Sequence, residues 1–270
     1  MPFVDSHCHL HDSRIIPDIS GIIDRAVNAG VTTMVTCATM EENFELTRNL
    51  AMDHPSVVPC FGIHPWFVDS LSAEWKKNLE NCLMAIPSGV GEIGLDFVDK
   101  EVDQARQIKV FEYQFALARE MGRPINIHIR KAWDTLIHIL KRVGKLETPG
   151  LIHSYSGSAD MVPVFEKYGL YISFSGSVTH PGAKKGIQAL KTVSPDRFVM
   201  ETDSPDILPF FSGIKLTGRN EPANLAGIAE IAARRSDADP DEFIGRAYTN
   251  SLRLFESIIK KERNDGAPFR

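Results

Sequence analysis

The sequence has no apolar run of membrane-spanning length, no CxxC pair, no excess of positive charge and no glycine-rich phosphate turn after its first strand-like segment. Each absence removes a class. Without roughly 20 consecutive apolar residues, no membrane-crossing helix is expected. The four cysteines, Cys8, Cys37, Cys60 and Cys82, follow no finger or disulfide spacing and read as reduced thiols. The N-terminus lacks the charged, apolar and small-residue order of a secretory signal, so a cytoplasmic protein is expected. A net charge of -5 and a pI near 6.0 argue against a broad basic surface wrapped around nucleic acid, but not against a small positive site. No solenoid-period repeat or low-complexity block is visible.

What is present is an ordinary globular composition, 43% hydrophobic and 24% charged over 270 residues, enough for one large domain or two small ones. Strand-like runs at 3–9, 31–38, 57–63, 89–93, 124–130, 150–153, 171–175 and 198–201 alternate with amphipathic helix-like stretches. Pro59 weakens the third run, because proline removes a ladder donor. Eight alternations predict an α/β fold, a closed parallel (β/α)8 TIM-like barrel, over residues 1–262. An extra C-terminal helix starts at the cap Asp239-Pro240-Asp241-Glu242, and residues 263–270 read as a frayed tail. The rival is an open doubly wound sheet, which usually shows a glycine-rich turn after strand one; here two histidines stand in that place.

Those histidines end the run Phe3-Val4-Asp5-Ser6-His7-Cys8-His9. Alternate residues of a strand share a face, so His7 and His9 can reach one point while Cys8 turns away into the core. The spacing suits a metal such as zinc, iron, nickel or copper, or magnesium or manganese where carboxylates join it. Two histidines closing a strand are an equally ordinary pattern until partners appear. A barrel supplies a check, since its chemistry should lie at the C-terminal strand ends. His7 and His9 end strand one, His64 strand three, Glu92 strand four, His128 strand five, His153 strand six, and Asp203 strand eight. In strand five, Ile125, Ile127 and Ile129 form one face, leaving Asn126, His128 and Arg130 on the other. A buried parallel strand usually reads apolar throughout, so the polar face points to a working interior.

The strings HCHL, GIHPW, GEIGLD, HIR, HSYSG, ETDSP, GRNEP and NSLRLF occur in that order. Together they resemble the TatD family of metal-dependent deoxyribonucleases over nearly the whole chain. The resemblance implies a metallohydrolase barrel with two divalent ions, Mg2+, Mn2+ or Zn2+. It places His7, His9, Glu92 and Asp203 on one ion and Glu92, His128 and His153 on the other, with Glu92 as bridge. Such a pair, ~3.5–4 Å apart, suits phosphodiester cleavage. Asp203, ending the last strand on the metal rim, is the candidate general base beside Glu92. His11, Lys131 and Asp206 depart from the family pattern near the mouth, where they bear on substrate preference.

The candidate substrate contacts have ordinary alternatives. His64 meets a phosphate or leaving group, or caps its strand beside Pro65. Arg130 meets substrate, or pairs with an acid. Arg219 clamps substrate, or is solvated in its polar loop. Trp66 and Tyr155 stack on a base, or merely pack, and Glu201 shares parity with Asp203 and could orient a ligand. The expected function is trimming of single-stranded or frayed DNA from the 3′ end. The alternatives are hydrolysis of carboxyl derivatives on the same barrel, as a D-aminoacyl-tRNA deacylase or amidohydrolase, and a metal-binding scaffold without turnover. The implied partners are therefore DNA or tRNA, with no membrane. The sequence sets neither the native metal nor the oligomeric state.

Overall fold

Eight parallel strands follow one another around the sheet in sequence order. They are β1 (Phe3–Cys8), β2 (Val31–Cys37), β3 (Val57–Phe61), β4 (Gly89–Asp96), β5 (Ile125–Arg130), β6 (Gly150–Ile152), β7 (Leu170–Phe174) and β8 (Phe198–Met200). Between and after them lie α1 (Ile19–Asn28), α2 (Glu41–Asp53), α3 (Trp75–Ala85), α4 (Gln104–Glu120), α5 (Trp133–Val143), α6 (Val162–Lys167), α7 (Lys184–Thr192), α8 (Leu225–Arg235) and α9 (Pro240–Leu254). This computed structural model describes residues 1–213, 216 and 218–259. The expected frayed tail at 263–270 lies outside the described residues.

Local chemistry accounts for several boundaries. Asp103 caps α4 by accepting from the amides of Ala105 and Arg106 at 2.8 and 3.1 Å. Asp239 caps α9 by accepting from Glu242 N at 3.0 Å, with Pro240 in the first turn as the sequence predicts. Pro59 does not end β3: it precedes the first β3–β4 pair, Cys60 with Gly89, so its missing donor leaves no gap in that ladder. β4 runs three residues beyond the expected 93, because Leu95 and Asp96 pair with Ile129 and Arg130.

The barrel closes between β1 and β8 without a ladder of its own. Asp203 N donates to His7 O at 3.0 Å, and His9 N donates to Ser204 O at 2.7 Å. Below them the buried Asp5 carboxylate accepts from Thr202 N at 2.9 Å and from Thr202 Oγ1 at 2.5 Å. A side chain thus satisfies at the seam what a neighbouring strand satisfies elsewhere.

Packing divides into two cores. The larger joins the outward strand faces to the helices, through residues such as Ile22, Phe111, Phe115, Leu136 and Ile228. The smaller contains Val35, Cys37, Val58, Cys60, Leu151, Tyr171 and Val199, and is completed by Leu254, Phe255, Ile258 and Ile259 at the end of α9 and just after it. The last helix therefore plugs the barrel with apolar side chains at the end away from the strand C-termini. The other end is left to polar groups.

Asp5→Ala would leave the Thr202 amide and hydroxyl without their acceptor in the barrel interior, at ~1–3 kcal/mol for each unsatisfied group. The chemical denaturation midpoint of the metal-free chain should fall accordingly. Asp5→Asn should lose less. An unchanged midpoint in Asp5→Ala would show that the seam does not depend on this contact.

Candidate active site

Seven side chains from six strand ends meet at the polar mouth: His7 and His9 from β1, His64 after β3, Glu92 on β4, His128 on β5, His153 after β6, and Asp203 after β8. Six of them are buried, and His9 is half-buried. Asp203 has a left-handed backbone, φ 55°, which aspartate tolerates better than most residues. Its carbonyl accepts from Asp206 N at 2.7 Å, forming a turn beneath the carboxylate.

Glu92 organises the cluster by dividing its two oxygens. Oε2 lies 3.5 Å from His7 Nε2 and 3.3 Å from His9 Nε2. Those nitrogens are 3.0 Å apart and lie 3.5 and 3.4 Å from Asp203 Oδ1. Oε1 faces the other way, 3.0 Å from both His128 Nδ1 and His153 Nε2, which are themselves 3.1 Å apart. Metal–ligand bonds of ~2.0–2.2 Å place neighbouring donors ~3–3.6 Å apart in a tetrahedral or octahedral shell. Both donor sets have the edge lengths of a coordination shell.

The outer nitrogens explain why lone pairs face inward. His7 Nδ1 is 2.8 Å from Asn126 Oδ1, and His9 Nδ1 donates to Cys37 O at 2.8 Å. His128 Nε2 is 3.0 Å from Asp96 Oδ2, so this histidine presents Nδ1 where the others present Nε2. His153 Nδ1 lies 3.4 Å from Glu201 Oε1, and Glu201 is held in turn by Ser154 N and the Ser173 hydroxyl. With Nδ1 of His7 and of His9 occupied as donors, two neutral imidazoles would point their Nε2 lone pairs at each other across 3.0 Å. In the metal-free chain a proton between them relieves this, in line with the raised pKa of His9, and a divalent ion would take its place. The donor chemistry therefore fits divalent ions.

His64 differs. Its Nδ1 accepts from Trp66 N at 3.2 Å, capping the turn Pro65–Ser70, so the neutral ring carries its proton on Nε2, 3.4 Å from Glu92 Oε1. Burial lowers its pKa to about 4, which keeps it neutral. It is a donor aimed into the site rather than a ligand.

The charges agree with this layout. Burial disfavours ionisation of Glu92, but the surrounding histidines, with His153 foremost, hold it well below the usual carboxylate range. Burial likewise opposes a charge on His9, yet the Asp203 hydrogen bond and the Glu92 charge override it and raise the pKa to about 9. In Asp96 the donors prevail over burial, and its pKa falls to about 2.

A cavity of about 550 Å3 opens over the cluster, within the size range of ligand sites. Its lining includes His9, His64, Glu92, His128, His153 and Asp203, with Trp66 and Arg130 farther out. Arg130 both lines the cavity and lies 3.5 Å from Asp96 Oδ2. Arg219 is outside this lining: its Nη1 donates to Arg14 O at 2.9 Å, and Nη2 lies 3.9 Å from both Asp18 and Glu221. Tyr155 is buried, packs on Trp133 and Phe165, and donates its hydroxyl to Ser158 O, so it has no free face for a base. Cys8 is buried in the main core, away from the donors. Sequence reasoning passed over Asp96. The visible signal is parity, since Glu92, Gly94 and Asp96 alternate along β4, but a strand that stops at 93 leaves Asp96 outside it.

A family model described as TatD related DNase matches residues 4–256. An uncharacterized metal-dependent hydrolase, YabD of Bacillus subtilis, is 30% identical over 255 residues, covering 93% of this chain and 98% of its own. Human deoxyribonuclease TATDN3 is 28% identical over 273 residues, covering 94% of this chain and 95% of its own. The crystal structure of YjjV, a TatD homologue from Escherichia coli, superposes with a TM-score of 0.87 at 29% identity, covering 94% of this chain and 98% of that one.

Divalent metal should raise the unfolding temperature, since binding to the folded chain alone contributes ~2.7 kcal/mol at a hundredfold excess over Kd. Glu92→Gln should lose most of that rise. Asn126→Ala removes the partner that orients His7 and should weaken metal binding ~10–100-fold, read by chelator competition. Unaltered affinity in Asn126→Ala would mean that His7 needs no such support.

Proposed function

Because the chain belongs to the TatD-related DNase family, whose metal-dependent hydrolase relatives it matches over nearly its full length, we propose that it hydrolyses DNA phosphodiesters. It trims single-stranded or frayed ends from the 3′ end with two divalent ions. His7, His9, Glu92 and Asp203 hold one ion, and Glu92, His128 and His153 hold the other. The observation that carries this reading is the division of Glu92: one oxygen in each of two donor sets, both at coordination-shell spacing.

Bound there, the ions would supply Lewis-acid polarisation of a phosphoryl oxygen and a water of lowered pKa. The protein's own groups do the rest. Glu92 and Asp203 cancel about half of the charge such a pair brings, leaving roughly two positive charges to attract an anionic diester. Asp203 lies at the cavity edge and accepts the proton from the attacking water. His64, neutral and with Nε2–H aimed inward, donates to a phosphoryl or leaving-group oxygen. Arg130, half-exposed on the rim, positions the phosphate by charge and leaves the ligand shell intact. Arg219, committed to Arg14, has no part in this account.

Labelled single- and double-stranded DNA, RNA and charged D-aminoacyl-tRNA, incubated with magnesium, manganese or zinc, test the reading. A DNA product ladder growing from the 3′ end supports it, whereas deacylation of the aminoacyl-tRNA without laddering replaces it with the carboxyl-hydrolase alternative.

The two carboxylates should separate in a metal titration. Glu92→Ala loses both oxygens of the bridge, and excess metal should restore part of its turnover. Asp203→Asn retains one oxygen ligand but loses basicity, so turnover should drop ~10²–10⁴-fold with metal content largely kept. Recovery of Asp203→Asn to near the parent rate at high metal would assign the base elsewhere.

A further inference from the structure

Each side of the mouth carries one arginine among acids. On the β1 and β8 side, the Arg14 guanidinium lies across two carboxylates, 2.8–2.9 Å from Asp12 and 2.8 Å from Asp206, so one cation meets two anions and the group is net negative. The strand order places the β3, β4 and β5 loops opposite. There Arg130 stands on the rim, and among the described residues its guanidinium approaches one acid, Asp96, at 3.5 Å. The two arginines differ in engagement: Arg14 is held by both of its carboxylates at 2.8–2.9 Å, whereas Arg130 makes one contact at 3.5 Å and is the freer cation for a phosphate.

On that second side a groove of about 380 Å3 lies next to the main cavity and shares two residues with it, Trp66 and Arg130. Val98 and Val102 form its apolar wall, with Asp96 and Asp99 completing the lining. Trp66 and Val98 are 51% and 46% exposed, unusual for large apolar side chains and both in one groove beside a reactive centre. The indole is not loose: Nε1 donates to Asp96 Oδ2 at 2.9 Å, the oxygen that also receives His128 Nε2. Its ring is thereby held as a fixed wall between the two spaces.

We propose that this groove is a second nucleobase subsite, in which the base next to the scissile phosphate stacks on Trp66 while the backbone crosses Arg130. The proposal rests on the phosphodiester reading above. A base suits the groove and a phosphate does not. Its walls are aromatic and aliphatic, and Asp99 would repel an anion inside, whereas the exposed indole offers a stacking face that accepts any base. The cation stands at the lip, shared with the main cavity, where the linking phosphate passes.

The test uses the metal-loaded full chain and two substrates with the same scissile diester: thymidylyl-thymidine and a thymidine methyl phosphate, which lacks the second base. Trp66→Ala should raise KM for the dinucleotide by about tenfold or more relative to the methyl ester. Trp66→Phe, which keeps the ring face, should recover most of it. Because Trp66 touches Asp96 and so bears on His128, Val98→Glu supplies a second variant: it puts a carboxylate in the groove and keeps the main-chain bond from Val98 N to Asp96 Oδ1, the oxygen that neither Trp66 nor His128 uses. It too should raise the dinucleotide KM selectively, with kcat little altered. Equal changes for both substrates in all variants would overturn the subsite. Absence of turnover on either substrate would remove the phosphodiester reading. The groove is then judged by tryptophan fluorescence: stronger quenching by the dinucleotide than by the methyl ester, lost in Trp66→Phe, supports it, and equal quenching overturns it.

Discussion

A carboxylate buried among imidazoles is the constraint on which the rest of this molecule depends. Glu92 is almost fully withdrawn from water, and burial alone would neutralise it. The histidines that hold it ionised stand at the ends of four other strands, so the site exists only when the sheet curves round on itself. This gives the seam between β1 and β8 a functional weight. Asp5 precedes His7 and His9 on the same strand, across a register irregularity between Asp5 and Cys8, and its contact with Thr202 adjoins the bonds that join His7 to Asp203 and His9 to Ser204.

Three of the inward-facing imidazoles are aimed by hydrogen bonds from behind: Asn126 serves His7, a backbone carbonyl serves His9 and Asp96 serves His128, while Glu201 stands 3.4 Å from His153 Nδ1 without a hydrogen bond. These partners come from the barrel wall itself, which makes the donor geometry a property of rigid strands. His64 shows the same logic in reverse. Its outer nitrogen accepts from the Trp66 amide, which leaves a proton on the inner one and turns a histidine of the cluster into a donor. The barrel's far end, sealed by Phe255 and Ile258, contributes stability without entering the chemistry.

Three further residues stand near the strand C-terminal ends around the site. Asp206 helps neutralise Arg14, His11 is buried with its ring edge-on to His9, and Lys131 takes a left-handed backbone just after β5. None supplies a donor to the Glu92 shell. Residues so placed bear on what approaches the centre and leave its donor set as it is, the division a barrel makes between its loops and its strand ends.

Strand alternation, cap residues and the placement of histidines at strand ends were legible in the sequence, because period and turn chemistry are local. The eight-strand order and the convergence of His7, His9, Glu92, His128, His153 and Asp203 followed from them with the family resemblance. Only the tertiary structure decided what depends on orientation across the barrel. It divided the oxygens of Glu92 between two sets, chose Nδ1 for His128, extended β4 to Asp96 and turned Arg219 toward Arg14. It also buried Tyr155 and left Trp66 open, two aromatics that the sequence could not tell apart. The physical reason is that a residue's type and parity say which face it joins, whereas hydrogen-bond partners tens of residues away say which atom it presents.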